Sequence, residues 1–225
     1  MTTTTPVAEA AAAGLDGDRI LSWRWPRLYE ASFRLSPTSR RVRAKEIDAV
    51  LRNIDAVSRP GQVVVEVGCG PGTYTRHLAS RFEHVTALDA AQGMIDHMAA
   101  RMRREGHRNV VGAYGSVPGD LRAAGRADGL VAIGVLDFAD DLAVWMRSLR
   151  SCVAPGGWIV FTVPNARTTP RSAGALEGVF TGRVVTRETA QVYEAAAGAG
   201  WQHTRLGAVE HRGRAYTLVG TAVAP

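Results

Sequence analysis

The stretch that decides the fold reads Val-Val-Val-Glu-Val-Gly-Cys-Gly-Pro-Gly-Thr-Tyr and covers residues 63–74. Its first five residues form a mostly β-branched, apolar run, which is typical of a buried strand. The glycines at 68, 70 and 72 predict a tight turn, because glycine has no Cβ to obstruct the backbone or to keep a ligand away from it. A helix expected from Tyr74 onward would begin with free backbone N–H groups beside that turn. The stretch therefore predicts a strand, a ligand-binding glycine loop and a helix.

The same alternation of strands and helices continues downstream. Further strands are predicted at 85–88, 110–114, 130–135 and 159–163, and helices at 74–81, 93–104, near 120–124, and at 141–152. A Thr/Arg/Gly-rich connection reaches about residue 184, followed by a helix over 187–197 and strands near 201–209 and 215–223. Alternation at this spacing predicts right-handed β-α-β units. The predicted fold class is α/β: a doubly wound, mostly parallel seven-stranded sheet with an antiparallel C-terminal hairpin.

The N-terminal region has a different composition. Residues 1–18 are rich in Thr and Ala and predict a flexible tail. Residues 19–59 predict basic helices, one over 20–35 and a second that begins at Ser36-Pro37, and positions 19–45 hold eight basic residues against Glu30 alone. The inward face of the second helix is predicted to consist of Ile47, Val50, Leu51, Ile54 and Val57. Residues 60–225 are predicted to form the core domain.

Length and composition exclude several classes of protein. A chain of 225 residues with 46% hydrophobic and 21% charged residues predicts one folded domain. No uncharged stretch is long enough and free of Pro and Gly to span a membrane, and the N-terminus lacks the basic start of a signal peptide, so we expect a cytoplasmic protein. The two cysteines, Cys69 and Cys152, lie far apart, and neither a disulfide nor a metal site is indicated.

The spacing of the glycine loop separates two cofactor classes. A dinucleotide loop of the form G-x-G-x-x-G would need glycine at position 73, where this chain has Thr. The G-x-G-x-G spacing after Glu66, with Asp89 at the end of the next strand, resembles class I S-adenosylmethionine-dependent methyltransferases. The resemblance runs from Val63 to Val163 and includes the Pro155-Gly156-Gly157 turn before the fifth strand.

This resemblance implies S-adenosyl-L-methionine as the cofactor and gives roles to individual residues. Glu66 and the loop glycines Gly68, Gly70 and Gly72 would hold the methionine part, and Asp89 would bind both ribose hydroxyls. Met94 would pack beside the adenine. Ser116 stands where many relatives carry an acid that binds the adenine amino group, and this departure leaves adenine recognition to its hydroxyl or to the backbone. The adjoining Val117, and Val135 in the substrate-facing segment, complete the predicted cofactor site.

The sequence indicates the acceptor of the methyl group less clearly than it indicates the cofactor. Asp137, just beyond the fourth strand, and Tyr29, among the aromatic residues of the basic region, are the predicted catalytic residues, with His77, His203 and His211 as further candidate bases. If the N-terminal helices form a lid, their charge favours an acceptor that is anionic, aromatic or carried on an acidic protein. The sequence does not indicate an oligomeric state.

The predicted function is direct methyl transfer to a small molecule, and three alternatives remain. The same cofactor could serve for transfer of another alkyl group or for cyclisation, or the chain could bind it without catalysis. A nucleic-acid methyltransferase is disfavoured, because the fourth strand is not followed by the Asn/Asp-Pro-Pro-aromatic segment of enzymes that methylate exocyclic amines.

Overall fold

The computed structural model describes residues 26–33, 36–119, 121, 125–166 and 184–225. Several predictions fall wholly or largely outside these described residues. They are the tail at 1–18, the first part of the helix over 20–35, the short helix near 120–124, and the connection that reaches residue 184.

The described elements follow the predicted alternation. The helices are α1 (Pro26–Ser32), α2 (Pro37–Val57), α3 (Thr75–Ala79), α4 (Gln92–Arg104), α5 (Leu142–Arg150) and α6 (Thr189–Gly198). The strands are β1 (Val63–Val67), β2 (His84–Asp89), β3 (Val110–Tyr114), β4 (Ala127–Ala132), β5 (Val153–Pro164), β6 (Gln202–His211) and β7 (Arg214–Val223). They form one sheet of seven strands in the order β3-β2-β1-β4-β5-β7-β6. The predicted fold class is confirmed.

The centre of the sheet positions the glycine loop. β1 lies between β2 and β4 and runs parallel to both, with Val65 beside Thr86 on one side and Leu130 on the other. Because helices cover both faces of such a sheet, its central strands are largely apolar, and positions 64–67 of β1 are all buried, Glu66 included. The carboxyl ends of β1, β2 and β4 therefore open at one edge of the sheet.

The last two strands reverse direction. β7 pairs antiparallel with β5, with Phe161 beside Gly220, and β6 pairs antiparallel with β7. A Cβ at Gly220 would lie 2.3 Å from the Phe161 ring, so only glycine leaves room for that ring. The predicted C-terminal hairpin is present.

Two predicted strands differ from the structure in their bounds. The fourth strand, predicted at 130–135, is Ala127–Ala132. Gly134 has a positive φ of 71°, which turns the chain out of the sheet before the end of the apolar run. The fifth strand, predicted at 159–163, extends over Val153–Pro164, and the register with β4 shifts between Ala127 and Gly129 to accommodate the extra residues.

Helix α2 closes one side of the sheet. Its N-cap is Ser36, whose hydroxyl oxygen accepts a hydrogen bond from the Ser39 amide at 3.0 Å, and Pro37 occupies the first turn as predicted. Val50 and Ile54 on its inward face are fully buried, in a cluster that includes Val209 and Val219 of the hairpin. Within the described residues, no helix combines the length and the apolar character required to cross a membrane.

Candidate functional site

The glycine loop is fixed to the neighbouring strand. The amides of Gly68 and Cys69 both donate to the Leu88 carbonyl, at 2.8 and 2.9 Å. A Cβ at Gly68 would lie 2.3 Å from Cγ2 of Val135, so this glycine is required for close packing. Gly70 has a positive φ of 51° and nothing within 4 Å of the position that a Cβ would take. The loop thus presents bare backbone to open space at Gly70.

Asp89 ends β2 directly opposite this opening. Its Oδ2 accepts a hydrogen bond from the Gly70 amide at 2.8 Å, and its Oδ1 accepts one from the Ala91 amide at 2.9 Å. The Ala90 amide is a third backbone donor to this carboxylate, and since a carboxylate can accept about four hydrogen bonds, it retains capacity for a further donor. Burial raises the pKa of Asp89 to about 6, although the backbone hydrogen bonds partly oppose this rise. The side chain can therefore hold the loop and a ligand simultaneously.

Two residues that the resemblance assigns to the cofactor, Glu66 and Gly72, contact the helices next to the loop. Glu66 is buried and accepts a hydrogen bond from the Thr75 hydroxyl at 2.6 Å, and burial raises its pKa to about 8. Gly72 packs against Met98, whose Cγ would lie 3.0 Å from a Cβ at that position. Neither residue lines the cavity. They connect the loop to the helices beneath it.

A cavity of ≈ 440 Å³ opens beyond the glycine loop. One part of its wall contains most of the predicted cofactor residues, namely Gly68, Gly70, Asp89, Met94, Ser116, Val117 and Val135. The rest of its wall includes both predicted catalytic residues, Asp137 and Tyr29, together with Phe33, Arg43 and Glu46. The structure thus brings the two predicted sets into one space of the size expected for a small-molecule site.

Tyr29 faces this cavity from α1 and packs edge-on against Phe33, with 5.1 Å between ring centroids. Desolvation raises the pKa of Tyr29 to about 12, an effect opposed by Arg43 and reinforced by Asp137 and Glu46. The phenol is therefore protonated at neutral pH. Tyr29 is suited to donating a hydrogen bond and poorly suited to removing a proton.

Arg43 and Glu46 of α2 form a part of the wall that sequence reasoning did not identify. Nη1 of Arg43 donates to Oε1 of Glu46, which also accepts a hydrogen bond from the Tyr74 hydroxyl at 2.9 Å. The guanidinium lies over the Phe33 ring at 4.7 Å and over the Tyr74 ring at 5.1 Å. Burial opposes its charge, yet Glu46 keeps the pKa of Arg43 above its ordinary value. Arg43 is thus a cation held in a defined orientation.

Asp137 lies in a short 3₁₀ turn, Leu136–Phe138, after β4. Its carbonyl accepts a hydrogen bond from the Val185 amide at 2.7 Å. The buried Arg187 side chain donates to the carbonyls of Ala139 and Asp140 just beyond the turn. Residues 184–187 therefore hold the turn in place through these hydrogen bonds to its backbone carbonyls.

The other candidate bases lie away from this cavity. His77 is half-buried on α3, His203 is exposed at the start of β6, and His211 is buried at the end of β6. None of them is among the residues that line the cavity. Within the described residues, no group of three or more His, Cys, Asp or Glu side chains is arranged to hold a metal ion.

Fold and loop define the chain as an α/β protein with a site for a nucleotide-containing ligand at the carboxyl edge of its sheet. A family model described as "Methyltransferase domain" matches residues 39–213, so the chain belongs to the methyltransferase domain family. The predicted membership of the class I S-adenosylmethionine-dependent methyltransferases is thereby confirmed.

Curated relatives match part of the chain. A malonyl-[acyl-carrier protein] O-methyltransferase of Serratia marcescens is 34% identical over 105 residues, which cover 47% of this chain and 39% of that enzyme. A trans-aconitate 2-methyltransferase of Mycobacterium tuberculosis is 32% identical over 132 residues, covering 53% of this chain and 45% of that enzyme. The matched segment thus spans less than half the length of either relative.

Solved structures match nearly the whole fold. Magnesium protoporphyrin IX methyltransferase from Synechocystis, with bound S-adenosylhomocysteine, has a TM-score of 0.70 at 19% identity and covers 93% of this chain and 98% of that one. The DhpI–S-adenosylhomocysteine complex has a TM-score of 0.63 at 24% identity, covering 91% and 96%. At these identities the likeness establishes the fold.

Proposed function

We propose that this chain transfers the methyl group of S-adenosylmethionine to an oxygen atom of a small anionic acceptor, free or tethered to an acidic carrier protein. The observation that carries the proposal is the single cavity that joins Gly70 and Asp89 to Tyr29, Arg43 and Asp137. Methyl transfer is an in-line displacement, and its rate depends on holding the acceptor oxygen and the methyl group in attack geometry within one enclosed space.

The residues at the loop end of the cavity fit this cofactor. When bound, it supplies a methyl group on a positively charged sulfur. The Asp89 carboxylate keeps capacity for a ribose hydroxyl, and Gly70 leaves open space for the backbone to approach a ligand. Met94 and Val117 are buried apolar neighbours for an adenine ring, and Ser116 offers it a hydroxyl.

A second group of residues in the cavity wall, which includes Arg43 and Tyr29, fits an anion. Arginine has five N–H donors, and one donor of Arg43, on Nη1, is bound to Glu46, while no other hydrogen bond of its guanidinium is found among the described residues. A planar guanidinium held between aromatic rings is pre-organised for a carboxylate or phosphate. The protonated Tyr29 hydroxyl would donate to the same group. The two curated relatives are named for a malonyl group and for trans-aconitate, and both of these carry carboxyl groups.

Two acceptor chemistries make different demands on Asp137. A carboxylate is already deprotonated at neutral pH and needs no base. A hydroxyl acceptor would need one, and Asp137 is the side chain that we propose for that task. Asp137→Asn should therefore leave turnover of a carboxylate acceptor within a few-fold of wild type and should abolish turnover of a hydroxyl acceptor.

The proposal is tested by incubating the protein with methyl-labelled S-adenosylmethionine and a panel of dicarboxylic acids, aromatic acids and their thioesters, followed by mass spectrometry. We expect one labelled methyl group on a carboxyl oxygen. Arg43→Gln should raise the acceptor KM by about tenfold or more, on the scale of a hydrogen bond to a charged group, and Arg43→Lys should recover part of the loss.

Arg52→Gln is the matched control, because Arg52 lies on the same helix in an exposed pair with Asp48. Tight binding of S-adenosylhomocysteine without any labelled product would indicate a cofactor-binding module. A product with the mass of another transferred group would indicate non-methyl transfer.

A further inference from the structure

A cluster of exposed basic side chains lies where α2 meets the turn between β6 and β7. We call Arg41, Lys45, Arg212 and Arg214 the basic cluster; all four are exposed. Lys45 Nζ donates to the Glu210 carbonyl at 2.8 Å, which joins the helix to the hairpin. None of the four side chains is paired with an acid within the described residues, whereas the acids of α2 nearby, Glu46 and Asp48, are already bound to other arginines.

His211 lies beside this cluster, and one of its two ring nitrogens lacks a hydrogen-bond partner in the described part of the chain. It is 8% exposed and pairs across the hairpin with Arg214, and its Nε2 has no partner among the described residues. Desolvation, followed by the charges of Lys45, Arg212 and Arg41, lowers the pKa of His211, so its ring is neutral near pH 7. The exposed Glu210 carboxylate is the opposing charge within the turn. The cluster thus carries an excess of positive charge that a bound acidic partner could neutralise.

The basic cluster lies on the same two elements as part of the cavity wall. Thr38, Ser39 and Val42, which precede Lys45 on α2, line the cavity, as do Tyr216 and Thr217, which follow Arg214 on β7. The two elements that carry the cluster are therefore the same two that form this part of the cavity wall. A partner bound at the cluster would be placed beside the cavity that holds Tyr29 and Arg43.

We propose that the basic cluster docks an acidic carrier protein, which delivers the acceptor to the cavity on a flexible tether. The inference rests on the proposed function and adds the surface that recognises the carrier. Opposite charge on two surfaces accelerates their encounter and selects the partner. A nucleic acid fits less well, because single strands bind through aromatic side chains interleaved with the charges, and the exposed Tyr114 and Tyr193 lie on β3 and α6 instead.

The test compares two triple variants. Arg41→Ala/Lys45→Ala/Arg212→Ala removes three charges of the cluster, and Arg103→Ala/Arg104→Ala/Arg126→Ala removes three exposed arginines elsewhere that have no ion pair in the described part of the chain. The probes are an acidic acyl carrier protein that bears a malonyl thioester and the carrier-free malonyl thioester of N-acetylcysteamine. Carrier binding is measured directly by surface plasmon resonance, and methylation is measured for both probes.

We expect the cluster variant to weaken carrier binding and to lower kcat/KM for the carrier-borne probe by about tenfold or more. Its kcat/KM for the carrier-free probe should stay within about twofold of wild type, and the control variant should match wild type on both probes. At a salt concentration of about 0.5 M, the wild type should bind the carrier about as weakly as the cluster variant does. The reason is that exposed charges are screened at roughly that ionic strength.

The outcomes separate the docking surface from the proposed function. Equal carrier binding by wild type and the cluster variant, or no binding by wild type, would overturn the docking surface even if the free thioester is methylated. An RNA oligonucleotide that binds through the cluster more tightly than the carrier would also overturn it. Carrier binding through the cluster with no methylation of either probe would leave the surface standing and refute the proposed acceptor class.

Discussion

Asp89 combines two tasks that are usually divided between residues. It fixes the loop through the Gly70 amide and also lines the cavity, where its carboxylate can accept a further hydrogen bond from a ligand. Because burial raises its pKa to about 6, the side chain changes charge within a pH range that the protein can tolerate. The ionised carboxylate accepts hydrogen bonds from ribose hydroxyls better than the protonated carboxyl does.

The first prediction concerns the pH dependence of cofactor binding. Donors favour the ionised carboxylate, so affinity for S-adenosylhomocysteine should be constant above about pH 7 and should fall as pH decreases through about 6, approaching tenfold per unit below it. Calorimetry between about pH 5 and 8, a range that brackets the raised pKa of Asp89, measures this. Asp89→Asn should bind weakly and with little dependence on pH. If the affinity of the wild type did not change with pH, Asp89 would not contact the ligand.

The second prediction separates ligand contact from backbone strain at the glycine loop. Gly70 and Gly106 both have a positive φ, 51° and 82°, and both have open space where a Cβ would be. Alanine at either position should therefore cost a similar ~1 kcal/mol of folding free energy. Gly70→Ala should also weaken S-adenosylhomocysteine binding by about tenfold or more, because its Cβ would project beside the ligand, whereas Gly106→Ala should bind like wild type. Equal affinity of the two variants would show that the loop does not touch the ligand.

At the scale of elements, α1 is tied to the glycine loop through one arginine. Arg101 of α4 donates through Nη1 to Glu30 of α1 at 2.8 Å and to the Pro71 carbonyl of the loop at 3.2 Å. Tyr29, next to Glu30, faces the cavity. We therefore propose that α1 is part of the lid expected from the sequence, and that Arg101 links its position to that of the loop.

The third prediction tests this link without requiring the acceptor. Glu30→Gln should raise the dissociation rate of S-adenosylhomocysteine by about fivefold, since a partly exposed ion pair contributes up to ~1 kcal/mol. Surface plasmon resonance gives this rate directly. Glu105→Gln is the control, because Glu105, the C-cap of α4, pairs with the same arginine and with Arg76 of α3 but not with α1. If both variants released the ligand equally fast, the effect would belong to Arg101 itself and not to the lid.

Local patterns in the sequence predicted most elements because those elements depend on local chemistry. β1 and β3 match their predicted bounds, and α2 begins at its predicted cap and buries its predicted face. The bounds of β4 were wrong because apolar residues 133–135 were assigned to the strand, whereas Gly134 turns them out of the sheet and into the cavity wall. Periodicity identifies an apolar run but not which part of it pairs with neighbouring strands.

The site was predictable where one segment contains it and not where distant segments meet. Asp89 and Gly70 lie in motifs with recognisable spacing, and the structure places them in direct contact. Arg43 and Glu46 appeared in the sequence only as charges of a basic region, because their place in the cavity depends on how α2 packs across the sheet. Glu66 belonged to the same motif as Gly70, yet side chains alternate along a strand, and Glu66 points to Thr75 behind the loop.

At the scale of the whole molecule, the cavity is built on the most buried part of the sheet. β1, β2 and β4 supply the loop, Asp89 and the turn with Asp137, and the two largest apolar clusters contain residues of β1 and β4, such as Val65 with Leu130 in one and Val64 with Val131 in the other. Global unfolding separates these strands and destroys the site. Ligand binding and folding of the core are therefore thermodynamically linked.

The last prediction uses this linkage as a test of the cofactor on the intact protein. S-adenosylhomocysteine at about one hundred times its dissociation constant should stabilise the fold by about 2.7 kcal/mol, which for a chain of this size corresponds to a rise in Tm of roughly 5–11 °C. Differential scanning fluorimetry measures the rise, with NADH at equal concentration as the control ligand. Asp89→Asn should lose most of the shift while Gly106→Ala keeps it, because only Asp89 faces the cavity. A rise in Tm with NADH and none with S-adenosylhomocysteine would contradict the proposed cofactor. Both ligands contain adenosine, so they differ only in the rest of the molecule. The glycine loop and the cavity wall beyond it would contact that part.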